Sequence, residues 1–286
     1  VVVAVKSYFL IKRIRPDVVL GMGGYISLPG GLAAWVAGVP LVIHEQNSIP
    51  GSANKLLIRF AKQACQGLPG PANRAFAKQV GNPIRDELLD HFIDRACLDK
   101  APDKKDVFKI LVLGGSQGAS YLNANVPRAL NLIKGEKKIH LIHQAGKGKL
   151  KEVDYQNITC IEDVVISEFI TDIVSAYKWA DLIICRSGAL TVSEVMATGG
   201  LAIFIPYPHA IDEHQYFNAL TLSDKGGAFL LSESEGFDDE LSRCISSLVN
   251  NAEIGEQMKK IAKESFIPHA KEAIGKLCIE QIKYYG

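Results

Sequence analysis

Apolar runs of four to six residues, each closing on glycine or a polar cluster, alternate along the chain with stretches whose apolar positions recur at helical spacing. This is the cadence of βα units feeding a parallel sheet. It predicts strands at 17–20, 40–44, 109–113, 139–142, 181–185, 201–205 and 228–231. It predicts helices near 32–37, 52–64, 121–133, 172–179, 191–197, 213–223 and 239–250, and a helical stretch from 252 to 286 broken at Pro268. No internal repeat or low-complexity segment interrupts the alternation.

Composition agrees with that reading and adds a division. The 286 residues are enough for about two domains of roughly 100–200 residues each. Charged residues at 22% and hydrophobics at 48% exclude a disordered or coiled-coil chain. Between Gly81 and Lys109 the sequence GNPIR leads into DKAPDKKD, a charged stretch without apolar periodicity, which marks a domain boundary. The expected organisation is a first domain at 1–84, a second at 85–251, and C-terminal helices at 252–286 that return to the first.

Charge then separates the two ends. Residues 1–80 carry nine basic and two acidic side chains, a net of +7, against 23 and 29 in the remainder, a net of −6. The uncharged stretch 18–43 is long enough to span a bilayer, but Gly21, Gly23, Gly24, Pro29, Gly30, Gly31, Gly38 and Pro40 break it, so no transmembrane helix is expected there. The opening VVVAV is too short for a signal peptide, and the chain reads as cytoplasmic. The missing initiator Met and abrupt start suggest a chain lacking its N-terminal segment, the alternative being a Met removed by processing. Six cysteines at 65, 97, 160, 185, 244 and 278 form no CxxC pair, so neither a zinc site nor a redox dithiol is expected.

Candidate chemistry collects at the ends of predicted strands. KILVLGGSQGAS at 109–120 is a strand, a glycine-rich turn and a helix. Without side chains at Gly114, Gly115 and Gly118, backbone N–H groups and the following helix N-terminus can approach a phosphate, and Ser116 can donate another bond. A tight turn of a doubly wound sheet explains the same residues. The turn is neither a Walker motif nor GxGxxG, which disfavours an ATPase and a nicotinamide enzyme. CRSGALTVSE at 185–194 repeats the pattern. Thr191 and Glu194 have capping-box spacing, a sufficient structural reason for both; alternatively Glu194 accepts two hydrogen bonds from a ribose diol. GMGGY at 21–25, HEQN at 44–47 and YPHAIDEHQYFN at 207–218 also follow predicted strands. Their plainer readings are a close-packed turn, a solvated strand end and a surface loop. No histidine pattern points to a metal.

Taken in order, PDVVLGMGGY (16–25), PGGLAAW (29–35), HEQN (44–47), GNPIR (81–85), GGSQGA (114–119), CRSGALTVSE (185–194) and HQYFNA (214–219) closely resemble the MurG family of bacterial glycosyltransferases over nearly the whole chain. The resemblance implies an α/β glycosyltransferase-B fold, two Rossmann-like domains with parallel sheets facing across a cleft. It implies inverting transfer of N-acetylglucosamine from UDP-N-acetylglucosamine to undecaprenyl-pyrophosphoryl-N-acetylmuramyl-pentapeptide in peptidoglycan synthesis, with no metal or other cofactor and no nucleic-acid partner. Residue by residue, it implies that Gly114, Gly115, Ser116, Gln117 and Gly118 meet the UDP diphosphate, with Leu190 and Thr191 helping. Ile170 would offer its backbone to uracil and Glu194 would hold the ribose. Arg186, Ala189, Gln215 and Asn47 would surround the sugar, with Arg85 near the donor. Gly21, Gly23, Gly24 and Tyr25 would face the acceptor pyrophosphate. His214 stands where some members have a glutamine.

The family's first strand and first glycine loop, which carry a histidine proposed as the base, should lie upstream of Val1. Among the residues present, Glu45 is the only carboxylate in the strand-end motifs of the first domain and becomes the candidate base. Residues 1–15 combine Lys6, Lys12, Arg13 and Arg15 with Tyr8, Phe9, Leu10 and Ile11 and no acid. That composition suits either an amphipathic packing helix or, given a lipid-linked acceptor, peripheral attachment to an anionic membrane at its cytoplasmic face. Competing functions are a nucleotide-sugar epimerase of the same fold, which needs no basic lipid-facing segment, and a donor-binding module inactive without a separately supplied acceptor half.

Overall fold

The computed structural model describes residues 2–71, 77–92, 107–115, 117–134 and 137–285. In chain order its elements are α1 (Val2–Ile14), β1 (Val19–Gly21), α2 (Ser27–Val36), β2 (Leu41–Glu45), α3 (Ser52–Leu57), β3 (Gln63–Gln66), β4 (Lys78–Gln79), α4 (Asp86–Phe92), β5 (Val107–Leu113), α5 (Ser120–Asn131), β6 (Lys138–Gln144), β7 (Ile161–Ser167), α6 (Ile173–Trp179), β8 (Leu182–Cys185), α7 (Ala189–Thr198), β9 (Ala202–Phe204), α8 (His214–Ser223), β10 (Phe229–Leu230), α9 (Phe237–Asn250), α10 (Ala252–Glu264) and α11 (Ala270–Tyr285). They divide into two compact units. The first is Val1–Pro83 with His209–Thr221 and Ile267–Gly286, the second Ile84–Pro208 with Leu222–Phe266.

The first unit is built on a parallel sheet in the order β1-β2-β3-β4. Every residue of β2 is buried, as expected of a strand covered on both faces. Leu41 and Ile43 meet Leu57 of α3 and Leu28 and Leu32 of α2. Ile11 of α1 packs on Ala33 and Ala34 of α2, whose small side chains let the two helices approach. Ile274 of α11 closes over Cys65 and Val80.

The second unit holds a six-stranded parallel sheet in the order β10-β9-β8-β5-β6-β7. The chain runs outward from β5 through β6 to β7, then returns to the other side of β5 and continues through β8 and β9 to β10. Strand order therefore reverses between β5 and β8, the position where an open α/β sheet offers a crevice at its carboxyl ends. Ile110, Val112, Leu141, Ile184 and Ile203 form the core with Leu122, Val126 and Leu130 of α5 and Leu241, Ile245 and Leu248 of α9. Each such side chain contributes about 1.5–3 kcal/mol relative to exposure.

Several expectations need correction. The helix expected at 52–64 stops at Leu57, because Lys62 N–H donates to Leu41 O and the chain enters β3. Strands β3, β4 and β7 were not expected. Polar residues dominate QACQ, β4 is two residues long, and IEDVVIS is an edge strand whose exposed acids mask its period. Residues 252–266 belong to the second unit, where Met258 joins the core, whereas 267–286 and also 209–221 belong to the first.

Candidate active site

Two turns lie side by side at the switch point of the second unit. Leu113 and Cys185 are register partners, so Gly114 and Arg186 follow on neighbouring strand ends. Gly114 N–H donates to Gln144 O at 3.2 Å, and Gly118 N–H closes the turn on Gly115 O at 3.1 Å. Gly118 (φ 72) packs against Gly146 (φ 94) so closely that a Cβ on either would overlap the other's backbone. Glycine is required there by both sterics and backbone angle. Beyond the turn, α5 opens at Ala119 with no side-chain cap and no acid in its own first turn, so its twelve-residue dipole is directed at the glycine turn, while Glu152 accepts from Asn123 Nδ2 at 2.9 Å beside it. Lys149 adds a cation, its Nζ donating to Gly118 O (3.3 Å) and Ser120 Oγ (3.0 Å). Gln117 is exposed in the turn, and Ser116 lies outside the described residues.

The second turn bears on the capping-box reading of Glu194. Helix α7 begins at Ala189 with Gly188 as N-cap and no side-chain cap bond, so Thr191 lies inside the first turn and no capping box forms. Leu190 is exposed in that turn, Ala189 buried and Thr191 half-buried. Glu194 Oε2 accepts from Tyr177 Oη at 3.1 Å, and Arg85 Nε lies 3.5 Å from Oε1. Burial pushes the Glu194 carboxyl above the usual range, opposed by Arg85 and the Tyr177 hydrogen bond. A carboxylate offers about four acceptor positions, so two protein donors leave capacity for a vicinal diol.

Other donor-side expectations fare differently. Ile170 N–H is held by Gln144 Oε1 at 3.0 Å, which leaves its carbonyl as the group it can offer a base. Arg186 Nη1 donates to Ile205 O (3.1 Å) and Pro206 O (3.0 Å), Nη2 pairs with Glu233 at 2.5 Å, and the guanidinium stacks 5.6 Å from the Tyr207 ring. Arg186 therefore braces the segment after β9.

In the first unit, the turn after β1 carries Gly23 (φ 82) and Gly24 (φ 74), both left-handed, with Gly21 ending the strand and Tyr25 exposed. HEQN is not a solvated strand end. His44 is fully buried and its Nε2 donates to Gly81 O at 3.0 Å; burial lowers its pKa, offset in part by that carbonyl and by Glu45. Gln46 Nε2 donates to Met22 O at 2.8 Å and so tethers the glycine turn. Asn47 Oδ1 accepts from Asn218 Nδ2 at 3.0 Å, while Asn218 Oδ1 accepts from Ser48 N–H at 2.9 Å. These bonds fasten α8 to this unit and position His214 and Gln215, both half-buried, at its start.

The contacts of Glu45, the candidate base, are those of a group built into the loop. Its Oε1 accepts from Asn47 N–H (2.9 Å) and Asn47 Nδ2 (3.0 Å), and its Oε2 from Gly51 N–H (3.0 Å) and Asn54 Nδ2 (2.8 Å). With the residue 2% exposed and all four acceptor positions filled, no lone pair is left for a substrate proton. Sequence reasoning also missed Tyr177, Gln46 and Asn54. Tyr177 sits among apolar helix positions and reads locally as core.

Two α/β units with parallel sheets, one of them carrying paired anion-sized turns at its switch point, define a glycosyltransferase-B type protein. Residues 2–66 match the glycosyltransferase family 28 N-terminal domain and residues 109–274 the glycosyltransferase family 28 C-terminal domain. The chain belongs to glycosyltransferase family 28. It is 42% identical over 275 residues to a Shewanella violacea protein named UDP-N-acetylglucosamine--N-acetylmuramyl-(pentapeptide) pyrophosphoryl-undecaprenol N-acetylglucosamine transferase, covering 95% of this chain and 74% of that one. A Coxiella burnetii protein of the same name is 38% identical over 289 residues, 98% of this chain and 77% of that one. The crystal structure of Acinetobacter baumannii MurG superposes with a TM-score of 0.81 at 33% identity, covering 97% of this chain and 77% of that one.

Proposed function

We propose that the chain transfers N-acetylglucosamine from UDP-N-acetylglucosamine to undecaprenyl-pyrophosphoryl-N-acetylmuramyl-pentapeptide, inverting the anomeric carbon. The observation that carries this reading is the half-occupied carboxylate of Glu194 beside two glycine turns at one switch point, in a chain 42% identical to a transferase of that name. Gly114, Gly115, Ser116, Gln117 and Gly118 take the diphosphate with the α5 N-terminus. Leu190 and Thr191 flank it from α7, Ile170 reads the base through its carbonyl, and Arg85 lies near the donor. As the acceptor hydroxyl gives its proton to a general base and forms its bond to the anomeric carbon, the bond to UDP breaks and UDP leaves. The negative charge that develops on the diphosphate is then stabilised by prearranged N–H groups and the helix dipole. The acceptor pyrophosphate belongs to the turn of Gly21, Gly23, Gly24 and Tyr25, and Asn47 and Gln215 serve the sugar.

The same reading puts the protein peripherally on the cytoplasmic face of an anionic membrane. Among the described residues no helix is long and apolar enough to cross a bilayer. α1 instead exposes Val2, Val3, Phe9, Leu10 and Ile14 together with Lys6, Lys12 and Arg13, apolar and basic groups suited to a lipid surface. Incubation with UDP-N-acetylglucosamine and the lipid-linked acceptor tests the function: a β-linked disaccharide product with release of UDP is expected. An epimerised UDP-sugar, or donor binding with no transfer, would instead support the epimerase or the donor-binding module.

A further inference from the structure

We propose that Tyr177 is the positioning residue that holds Glu194 ready for the ribose diol, and that α6 thereby couples the base-facing loop to the ribose-facing carboxylate. The inference rests on the donor-site reading given above. Tyr177 is 4% exposed, fixed by packing, and its hydroxyl donates to Glu194 Oε2 at 3.1 Å. The other oxygen lies 3.5 Å from Nε of Arg85, whose side chain is 53% exposed. One oxygen is thus set by a buried phenol and the other by an exposed cation, so the carboxylate plane is defined before any nucleotide arrives. Pre-setting matters because Glu has three rotatable bonds whose ordering would otherwise oppose binding.

Helix α6 makes the coupling local. Asp172 caps it by accepting from Ser175 N–H at 3.0 Å, and Ile170 lies two residues before that cap. Base contact, cap and phenol therefore occupy eight consecutive positions, 170–177, running from one end of the nucleoside reading to the other. Among the described residues, three groups act on Glu194. Tyr177 approaches from α6, Arg85 from the segment leading into α4, and the buried Cys185 thiol from β8. α4 turns Leu88 inward and leaves Asp86, Glu87 and Asp90 exposed, while Lys259 and Lys263 of α10 lie beside Gly199 at the far end of α7. Burial keeps the Tyr177 phenol protonated, so it acts as donor.

The test is calorimetric titration of the full chain with UDP and with 2′-deoxy-UDP across a pH series. Base and diphosphate contribute equally to both ligands, so their affinity ratio isolates the ribose contact. Wild type should prefer UDP by about tenfold or more, the size of a hydrogen bond to a charged group. Preference should be lost as pH falls and Glu194 takes a proton. Tyr177→Phe keeps the ring but removes the donor that favours the ionised carboxylate, so the preference should shrink to about two- to threefold and disappear at higher pH than in wild type. Site-specific 3-fluorotyrosine at 177, a stronger donor of nearly the same shape, should move that loss to lower pH and decides the matter if Tyr177→Phe does not fold. An undiminished ratio with an unmoved pH limb in either variant overturns the positioning role. Equal affinity for both ligands in wild type overturns the ribose reading of Glu194 itself.

Discussion

Glu45 ends the buried strand β2 and Glu194 lies inside α7 beyond the buried strand β8; both are carboxylates at the carboxyl side of a strand, yet their surroundings differ in kind. In the first unit, four protein donors converge on Glu45, and neighbouring His44, Gln46 and Asn47 each hold a different segment. In the second unit, among the described residues, Glu194 meets the Tyr177 phenol at 3.1 Å and the Arg85 guanidinium at 3.5 Å. A carboxylate whose acceptor positions are filled from within stabilises a loop; one that is partly filled and desolvated is prepared for a ligand. The number of donors, rather than the residue type or its place after a strand, separates scaffold from site.

The contrast breaks first at Glu45. Glu45→Ala strands four donors in a buried environment and should destabilise the protein by about 3 kcal/mol or more, seen as a lowered denaturant midpoint. Glu45→Gln, if folded, should retain transfer; loss of the chemical step with an unchanged fold would restore Glu45 as the base. The contrast sharpens at His143, a saturated group in the other unit. Tyr155 Oη lies 2.6 Å from its Nδ1 and Asn123 Oδ1 3.0 Å from its Nε2, and burial pushes its pKa down to about 4. The unfolded chain takes up this proton near pH 6.5 while the folded one resists it. Stability should therefore be full above pH 6.5 and fall by about 3 kcal/mol as pH drops to 4. His143→Gln should flatten that part of the pH dependence measured by urea unfolding.

Smaller effects test the periphery. Gly118→Ala places a methyl group on Gly146 and Ala145 O at a left-handed position, and should weaken UDP binding by about 1–3 kcal/mol through displacement of the turn. Gly30→Ala meets open space and should leave binding unchanged. Charge reversal of Lys12 and Arg13 should weaken sedimentation with anionic vesicles by about 1 kcal/mol per residue, less at high salt and not at all with neutral vesicles.

Much of this organisation is legible locally. The runs at β5 and β8, the glycines after them and the helices that follow carry their own signals, and both turns fall where the pattern predicts. The split roles of Glu45 and Glu194 are not legible, because the deciding partners are distant or chemically silent in sequence. Asn218 reaches Ser48 across 170 positions, and the phenol that holds Glu194 belongs to an apolar helix face. The Thr191 to Glu194 spacing even suggested a capping box, which the start of α7 at Ala189 rules out. β3, β4 and β7 were hidden by polar residues, shortness and edge exposure.

The central claim is that the open carboxylate binds the donor and the saturated one does not. Side-by-side calorimetry of UDP on wild type, Glu194→Ala and Glu45→Gln tests it most directly. The account predicts that Glu194→Ala loses about 1.5–3 kcal/mol of UDP affinity in a folded protein, while folded Glu45→Gln binds UDP as wild type does. Unchanged affinity in Glu194→Ala, or an equal loss in Glu45→Gln, would contradict it.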